Sequence, residues 1–313
     1  MSFAERFDQA YRTTYRDQAM LAADHHQPVL RPYVSEQPCE GEQHAPAMFY
    51  DSKKAKRRPG TRAEPNRDNP TNRRRRWLLY QPPFDDGEYI DSEDVFKGMQ
   101  DFMSPTMMAQ AGAMKRFVDE DVILAGLFGM AYEGRTGGIE KPFLSSQVLP
   151  ATIQKGAGTA ATGLNLEKLK RNRKLYASHK FDLQAEPIII ALTAEQIDDL
   201  SNEIELTSAD YRAEAAPMFN REGKLTMVWN HIFVEYQNLT SKQVDYGSGL
   251  VTVQRVPTWR KSSVRLGVWQ EITPNSLLDS GKRNTPYVWQ EACMDCRRLE
   301  DTGVSEIECL IDG

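Results

Sequence analysis

The sequence predicts an α+β fold in which one long helix and a set of strands carry a projecting, strongly basic hairpin. Three observations lead there. Apolar residues recur at helical spacing from Ser104 to about Ala131. The second half of the chain holds runs with the two-residue period or the continuous apolarity of strands, such as Leu250 to Val256 and Glu186 to Leu192. Between the N-terminal region and the helix lies a polar, proline-interrupted stretch with little apolar surface of its own.

Residues 1–46 read as a short helix followed by an extended arm. Phe3, Phe7, Tyr11 and Tyr15 recur every fourth residue, which places them on one helix stripe. That stripe can pack inside its own subunit or reach onto a neighbouring one. Pro28, Pro32, Pro38 and Pro46 then exclude a long helix. Residues 47–91 form the hairpin, with Met48-Phe49-Tyr50 outgoing and Trp77-Leu78-Leu79-Tyr80 returning. Its tip holds Lys53, Lys54, Lys56, Arg57, Arg58, Arg62, Arg67 and the run Arg73-Arg74-Arg75-Arg76, against only Glu64 and Asp68. Close like charges repel by about 1 kcal/mol per pair even in water. The segment is therefore expected to lie against something acidic outside its own domain; a disordered tip is the alternative, since a lone two-stranded ribbon is marginal in water.

Residues 92–163 centre on the long helix. Ser104 can cap it and Pro105 suits its first turn. Its length comes to about 40 Å at 1.5 Å per residue, and Arg116 and Asp119 stand at pairing distance along it. The glycines between Glu133 and Gly163 lack the Gly-x-x-x-x-Gly-Lys-Ser/Thr order of a phosphate loop and read as a flexible connection. In residues 164–250, Leu164 to Ser178 is a basic amphipathic helix, with Leu164, Leu166, Leu169 and Leu175 inward and Lys168, Lys170, Arg171, Arg173 and Lys174 outward. Thr193 caps a helix over Ala194 to Leu200, and Val228 to Tyr236 is a strand. Residues 251–313 close the fold as short strands with one polar helix-like turn.

Composition narrows the function. The 313-residue chain has a formal net charge of -5, unlike a general nucleic-acid coat. It has no apolar run long enough to span a membrane, and its first residues lack the pattern of a secretory signal. Cys293-Met-Asp-Cys296 has CxxC spacing, but no second ligand pair follows for zinc, so Cys39, Cys293, Cys296 and Cys309 read as reduced thiols. His25, His26, His44, His179 and His231 are scattered, and the acidic groups Asp85-Asp86, Asp119-Glu120-Asp121 and Asp198-Asp199 read as solvated surface. No catalytic constellation, metal site or cofactor site is expected.

The order of these parts resembles the major capsid proteins of tailed bacteriophages. Local wording carries the likeness too: Arg116-Phe-Val-Asp119-Glu-Asp-Val-Ile-Leu-Ala-Gly126-Leu-Phe-Gly129 is similar to the family's central helix, and Met218-Phe-Asn-Arg-Glu-Gly223 leading into Trp229 to Tyr236 to its axial-domain turn and strand. The resemblance implies an N-terminal arm, an extended β-hairpin loop, a peripheral domain with a long spine helix, and an axial α/β domain. It further implies a homo-oligomer of hexamers and pentamers in a virion shell, assembled in the host cytoplasm without a membrane. A separate scaffolding protein, a portal protein, a decoration protein and packaged DNA touched without sequence preference are the expected partners. Lys53, Lys54, Arg57, Arg58, Arg73, Arg74, Arg75 and Arg76, with Phe3, Phe7, Tyr11 and Tyr15, are then candidate inter-subunit contacts. Their acceptors would be acidic stretches such as Asp91-Ser-Glu93-Asp94 or Glu203-Ile-Glu205. A nucleic-acid-binding structural protein and a non-viral shell compartment of the same fold remain the alternatives.

Overall fold

The computed structural model describes residues 29–50, 55, 73–90, 103–156, 158, 160–202, 227–247, 249–282 and 285–311. In chain order its elements are β1 (Ser35–Pro38), β2 (Gln43–Tyr50), β3 (Arg73–Leu79), β4 (Phe84–Tyr89), α1 (Met103–Phe117), a π-helical segment (Val118–Leu124) and α2 (Ala125–Phe128). There follow β5 (Ala131–Glu133), β6 (Ile139–Lys141), β7 (Val148–Leu149), α3 (Leu166–Ser178), β8 (Ile188–Leu192), α4 (Ala194–Ser201) and β9 (His231–Glu235). The chain closes with β10 (Ser241–Asp245), β11 (Leu250–Trp259), β12 (Val264–Asp279), β13 (Thr285–Arg298) and β14 (Val304–Leu310).

Three sheets result. One has the order β1-β12-β13-β4, a second β7-β14-β11-β8-β9 with β10 on β11, and a third β2-β3-β5-β6. The third is the neck of the hairpin: β2 and β3 pair antiparallel from Gln43↔Leu79 to Tyr50↔Arg73. The stretch from Glu133 to Gly163, expected to be a flexible connection, instead contributes β5, β6 and β7 to two of the sheets. The closing strands are also longer than expected: β12 spans 16 residues and β13 14, joined in one antiparallel ladder. Polar residues such as Asn275 and Ser276 obscure that length in the sequence, because this part of β12 is largely exposed among the described residues.

The long helix is present, and it ends at Phe128, where Gly129 turns extended. Its apolar side joins the arm and the β12–β13 ladder in one core that includes Leu30, Val34, Ile123, Leu127, Trp259, Leu266 and Met294. Gly126 lets α2 lie directly on β13, since a Cβ there would stand 2.2 Å from the Cys296 carbonyl oxygen. A second core under α3 gathers Leu169, Ile190, Leu192, Leu200, Val256 and Ile307. All of β8 is buried, as its continuous apolarity predicts. At the start of α4 the Thr193 N–H donates to Gln196 Oε1 at 2.8 Å, the reciprocal half of a capping box. The strand expected from Val228 begins only at His231, because Trp229 and Asn230 adopt φ of 50° and 65° and form a turn.

Two charged residues are placed opposite to expectation. Lys168 is 0 % exposed. Its ammonium donates to the carbonyls of Thr162 (2.7 Å), Gly163 (2.7 Å) and Glu308 (2.9 Å), so it pins α3 to the C-terminal strand while burial pulls its pKa down. It belongs to the row Leu164, Lys168, Asn172 and Tyr176, every member of which is buried. Leu175, expected inward, is only half-buried.

Asp119 is likewise 3 % exposed, not solvated. Its carboxylate accepts the N–H groups of Val29 (2.7 Å) and Leu30 (3.2 Å) and so clamps the arm to the helix. Burial raises its pKa to about 6, against the lowering effect of these hydrogen bonds.

Candidate inter-subunit surfaces

The hairpin neck is built on alternation. In β3, Arg73 and Arg74 are exposed, Arg75 is half-buried with its guanidinium 5.5 Å from the Trp77 ring centre, and Arg76 and Leu78 are buried. Trp77 is fixed in turn by its indole N–H, which donates to the Gly134 carbonyl at 2.8 Å. Arg76 therefore departs from the other arginines of the run. It is 4 % exposed and pairs inside its own subunit, with Asp301 and, at 3.9 Å, with Glu133. As an expected contact with a neighbour it is corrected: the two-residue period turns it into the subunit while Arg73 faces out.

Asp301 also stands 3.7 Å from Arg298. Arg298 is itself buried and closes the end of the long helix, donating to the carbonyls of Leu127 (2.7 Å) and Gly129 (2.6 Å). A cation is favoured at that position by the helix dipole. Sequence reading missed both Arg298 and Asp301; no local signal marks them, since they meet Arg76 only across the fold. Beside them a cleft of about 200 Å³ is lined by Arg74, Arg76, Leu144, Leu299, Glu300, Asp301 and Thr302. Burial raises the Glu300 pKa, an effect opposed by Arg260 and Arg74.

The arm is knitted to its own subunit over the part described. β1 runs parallel to β12 from Ser35↔Arg265 to Pro38↔Val268, and the Trp259 indole donates to the Tyr33 carbonyl at 3.0 Å. Phe3, Phe7, Tyr11 and Tyr15 lie outside the described residues, as do Lys53, Lys54, Arg57 and Arg58 and the acidic stretches Asp91–Asp94 and Glu203–Glu205.

Groups that could suggest chemistry are closed off. Asn172 contacts His231 Nε2 at 3.0 Å and accepts from Ser305 Oγ at 2.7 Å, while the Tyr176 hydroxyl donates to the Thr258 carbonyl at 3.0 Å. All of these side chains are buried, and burial lowers the His231 pKa to about 4. Cys293 and Cys296 are buried in β13 with raised pKa values, and three positions apart on a strand they point to opposite faces. Cys39 and Cys309 are pushed up to about 11 and about 12 by burial. Among the described residues no group of three or more His, Cys, Asp or Glu side chains is placed to hold a metal ion. No described helix is long and apolar enough to cross a membrane.

A long helix lying on an antiparallel ladder, a separate mixed sheet, and a hairpin neck on its own small sheet make up the described part of the subunit. Comparison places it more closely: the family model described as phage capsid protein matches residues 7–311, so the chain belongs to that family. No curated protein matches the sequence. The capsid of cyanophage Pam1 is 12% identical with a TM-score of 0.69, covering 100% of this chain and 99% of that one. The capsid of cyanophage P-SCSP1u is 11% identical with a TM-score of 0.68, covering 96% and 93%. The capsid of Ralstonia phage GP4 is 11% identical with a TM-score of 0.67, covering 96% of each chain. At such identities these structures share the fold, which is the expected α+β capsid fold. The chain is a major capsid protein that forms the shell of a phage virion.

Proposed function

We propose that copies of this chain assemble, as hexamers and pentamers in the host cytoplasm, into an icosahedral shell around double-stranded DNA, and that the basic hairpin is the element that interlocks them. In this reading residues 1–46 are the arm, 47–91 the extended loop and 92–163 the peripheral domain. Residues 164–250 are mostly the axial domain, closed by 251–313. The role is structural and not enzymatic. A separate scaffolding protein, a portal protein and a decoration protein are the proposed partners, with DNA met through charge alone.

The observation that carries the reading is the split of the arginine run. Arg76 is buried and pairs with carboxylates of its own subunit, whereas Arg73 and Arg74, on the same strand, are exposed. The basic charge of the stretch from Lys53 to Arg67 is met most readily by a neighbour, in contacts that commonly bury over about 2,000 Å² each. The test is a subunit with Lys53, Lys54, Arg57 and Arg58 all changed to Glu and Arg73 to Arg76 kept. Its thermal melt should match the wild type, and closed shells should be absent by electron microscopy and light scattering. Normal shells would overturn the reading.

A further inference from the structure

We propose that the cleft beside the hairpin neck is a binding site for inorganic phosphate, held between β3 and the turn that joins β13 to β14. The site does not depend on the hairpin meeting a neighbour. Its walls come from distant parts of the chain: Arg74 and Arg76 from β3, Glu300, Asp301 and Thr302 from the turn, and Leu144 as an apolar edge. The volume of about 200 Å³ is many times that needed by one water molecule, so a small oxyanion fits.

The chemistry follows from what the walls leave unmatched. Arg76 is 4 % exposed, and its guanidinium is only partly used: Nη2 pairs with Asp301 Oδ2, while Nη1 has no hydrogen-bond partner. Arg298, 1 % exposed, stands behind with its Nε also unmatched, 3.7 Å from Asp301 Oδ1, which lacks a hydrogen-bond partner as well. Buried polar groups in that state are rare and costly. The unused set is two cationic donors and one anionic acceptor. A fully ionised oxyanion such as sulfate suits the donors but meets the Asp301 carboxylate as a like charge with nothing to share. Phosphate keeps at least one proton at neutral pH and so brings both halves. Its bare oxygens accept from arginine, and its P–O–H donates to Asp301 Oδ1. The diesters of DNA have no such proton, and monoesters have mostly lost theirs at pH 7.

Glu300 is the lining carboxyl that opposes an anion, since Asp301 is already paired with Arg76. Burial raises the Glu300 pKa, so this group takes up a proton more readily than an exposed carboxylate when an anion enters. Bound in the cleft, phosphate ties β3 to the β13–β14 turn, adding a ligand to the Arg76–Asp301 pair that already joins them.

The experiment is calorimetric titration of the full-length chain with inorganic phosphate and with sulfate, at neutral pH and equal ionic strength. Phosphate should bind at least about tenfold more tightly than sulfate, because it alone matches Asp301. It should also slow amide exchange in β3 severalfold. Leu144→Trp fills the cleft from its apolar edge and leaves every charged group in place; it should weaken phosphate binding about tenfold or more, with an unchanged melt in chloride. Glu300→Gln removes the opposing charge and should tighten binding about threefold or more. If Leu144→Trp does not fold, Glu300→Gln decides by itself. Equal binding of the two anions, binding untouched by either substitution, or protection that falls outside β3 would overturn the site, since the ion would then be held by charge alone or by arginines elsewhere. Failure of phosphate to bind would overturn it too and leave water as the occupant.

Discussion

Two of the places where polar groups are buried in this subunit are handled differently. Behind α3 the side chains of Asn172, Tyr176, His231, Thr258 and Ser305 are formally neutral and bonded to one another in a closed set, with Thr258 Oγ1 and Ser305 Oγ 2.6 Å apart. At the hairpin neck the buried groups are charged, and Arg76 Nη1, Arg298 Nε and Asp301 Oδ1 have no hydrogen-bond partner. A closed neutral network fixes one geometry and asks nothing of its surroundings. A charged knot with unused donors and acceptors holds the base of the hairpin while keeping part of its bonding capacity free. The difference sets apart a part of the subunit that is finished alone from one that sits next to the hairpin proposed to meet a neighbour.

The contrast is broken most forcefully at Arg76. Arg76→Ala leaves the half-buried Asp301 with only the more distant Arg298, and the cost is expected near the lower end of the about 3–5 kcal/mol for loss of one partner from a buried pair. Chemical denaturation should register that loss, with the hairpin neck the first part to gain hydrogen exchange. A change below about 1 kcal/mol would mean that the knot holds nothing.

Asn172→Leu comes next. It removes the partner of both His231 and Ser305 and should cost about 2 kcal/mol, the penalty for buried groups left unmatched. Here the readout is global unfolding, with no selective opening of the neck. Equal loss at both sites would erase the distinction between them.

The smallest effect is the pH dependence of the wild type. His231 has a folded pKa near 4, below its ordinary 6.5, so its contribution is complete above pH 6.5 and is lost as pH falls towards 4. Asp119 has a folded pKa near 6, above its ordinary 3.8, so its contribution is complete below pH 3.8 and is lost as pH rises through 6. Each amounts to roughly 3 kcal/mol at most, and the two oppose each other between pH 4 and 6. The unfolding free energy should therefore vary little over that window. Asp119→Asn removes one side of the balance and should show a clear loss of stability on acidification. Parallel curves for variant and wild type would show that Asp119 does not titrate as its surroundings dictate.

The sequence made much of this legible where the signal is local. The long helix, β8, the capped α4 and the two strands of the hairpin neck follow from periodicity, and the order of parts led to the capsid family. The two misplaced charges were partly legible too. Asp119 shares an i, i+4 row with Ile123 and Leu127, and Lys168 one with Leu164 and Asn172, so spacing alone would have turned both inward. Residue type argued the other way, because neither the backbone N–H groups of the arm nor the carbonyls around Lys168 are marked in the sequence.

By itself, then, the sequence determined the element types, the basic hairpin and the family, because periodicity and charge density are properties of neighbouring residues. Only the tertiary structure decided that Arg76 is buried in the subunit while Arg73 and Arg74 are exposed. It alone decided that Asp119 holds the arm and that Lys168 pins α3 to the C-terminal strand. Those facts depend on which distant backbones meet: Arg76 and Asp301 are 225 positions apart, and nothing short of the folded core brings them together.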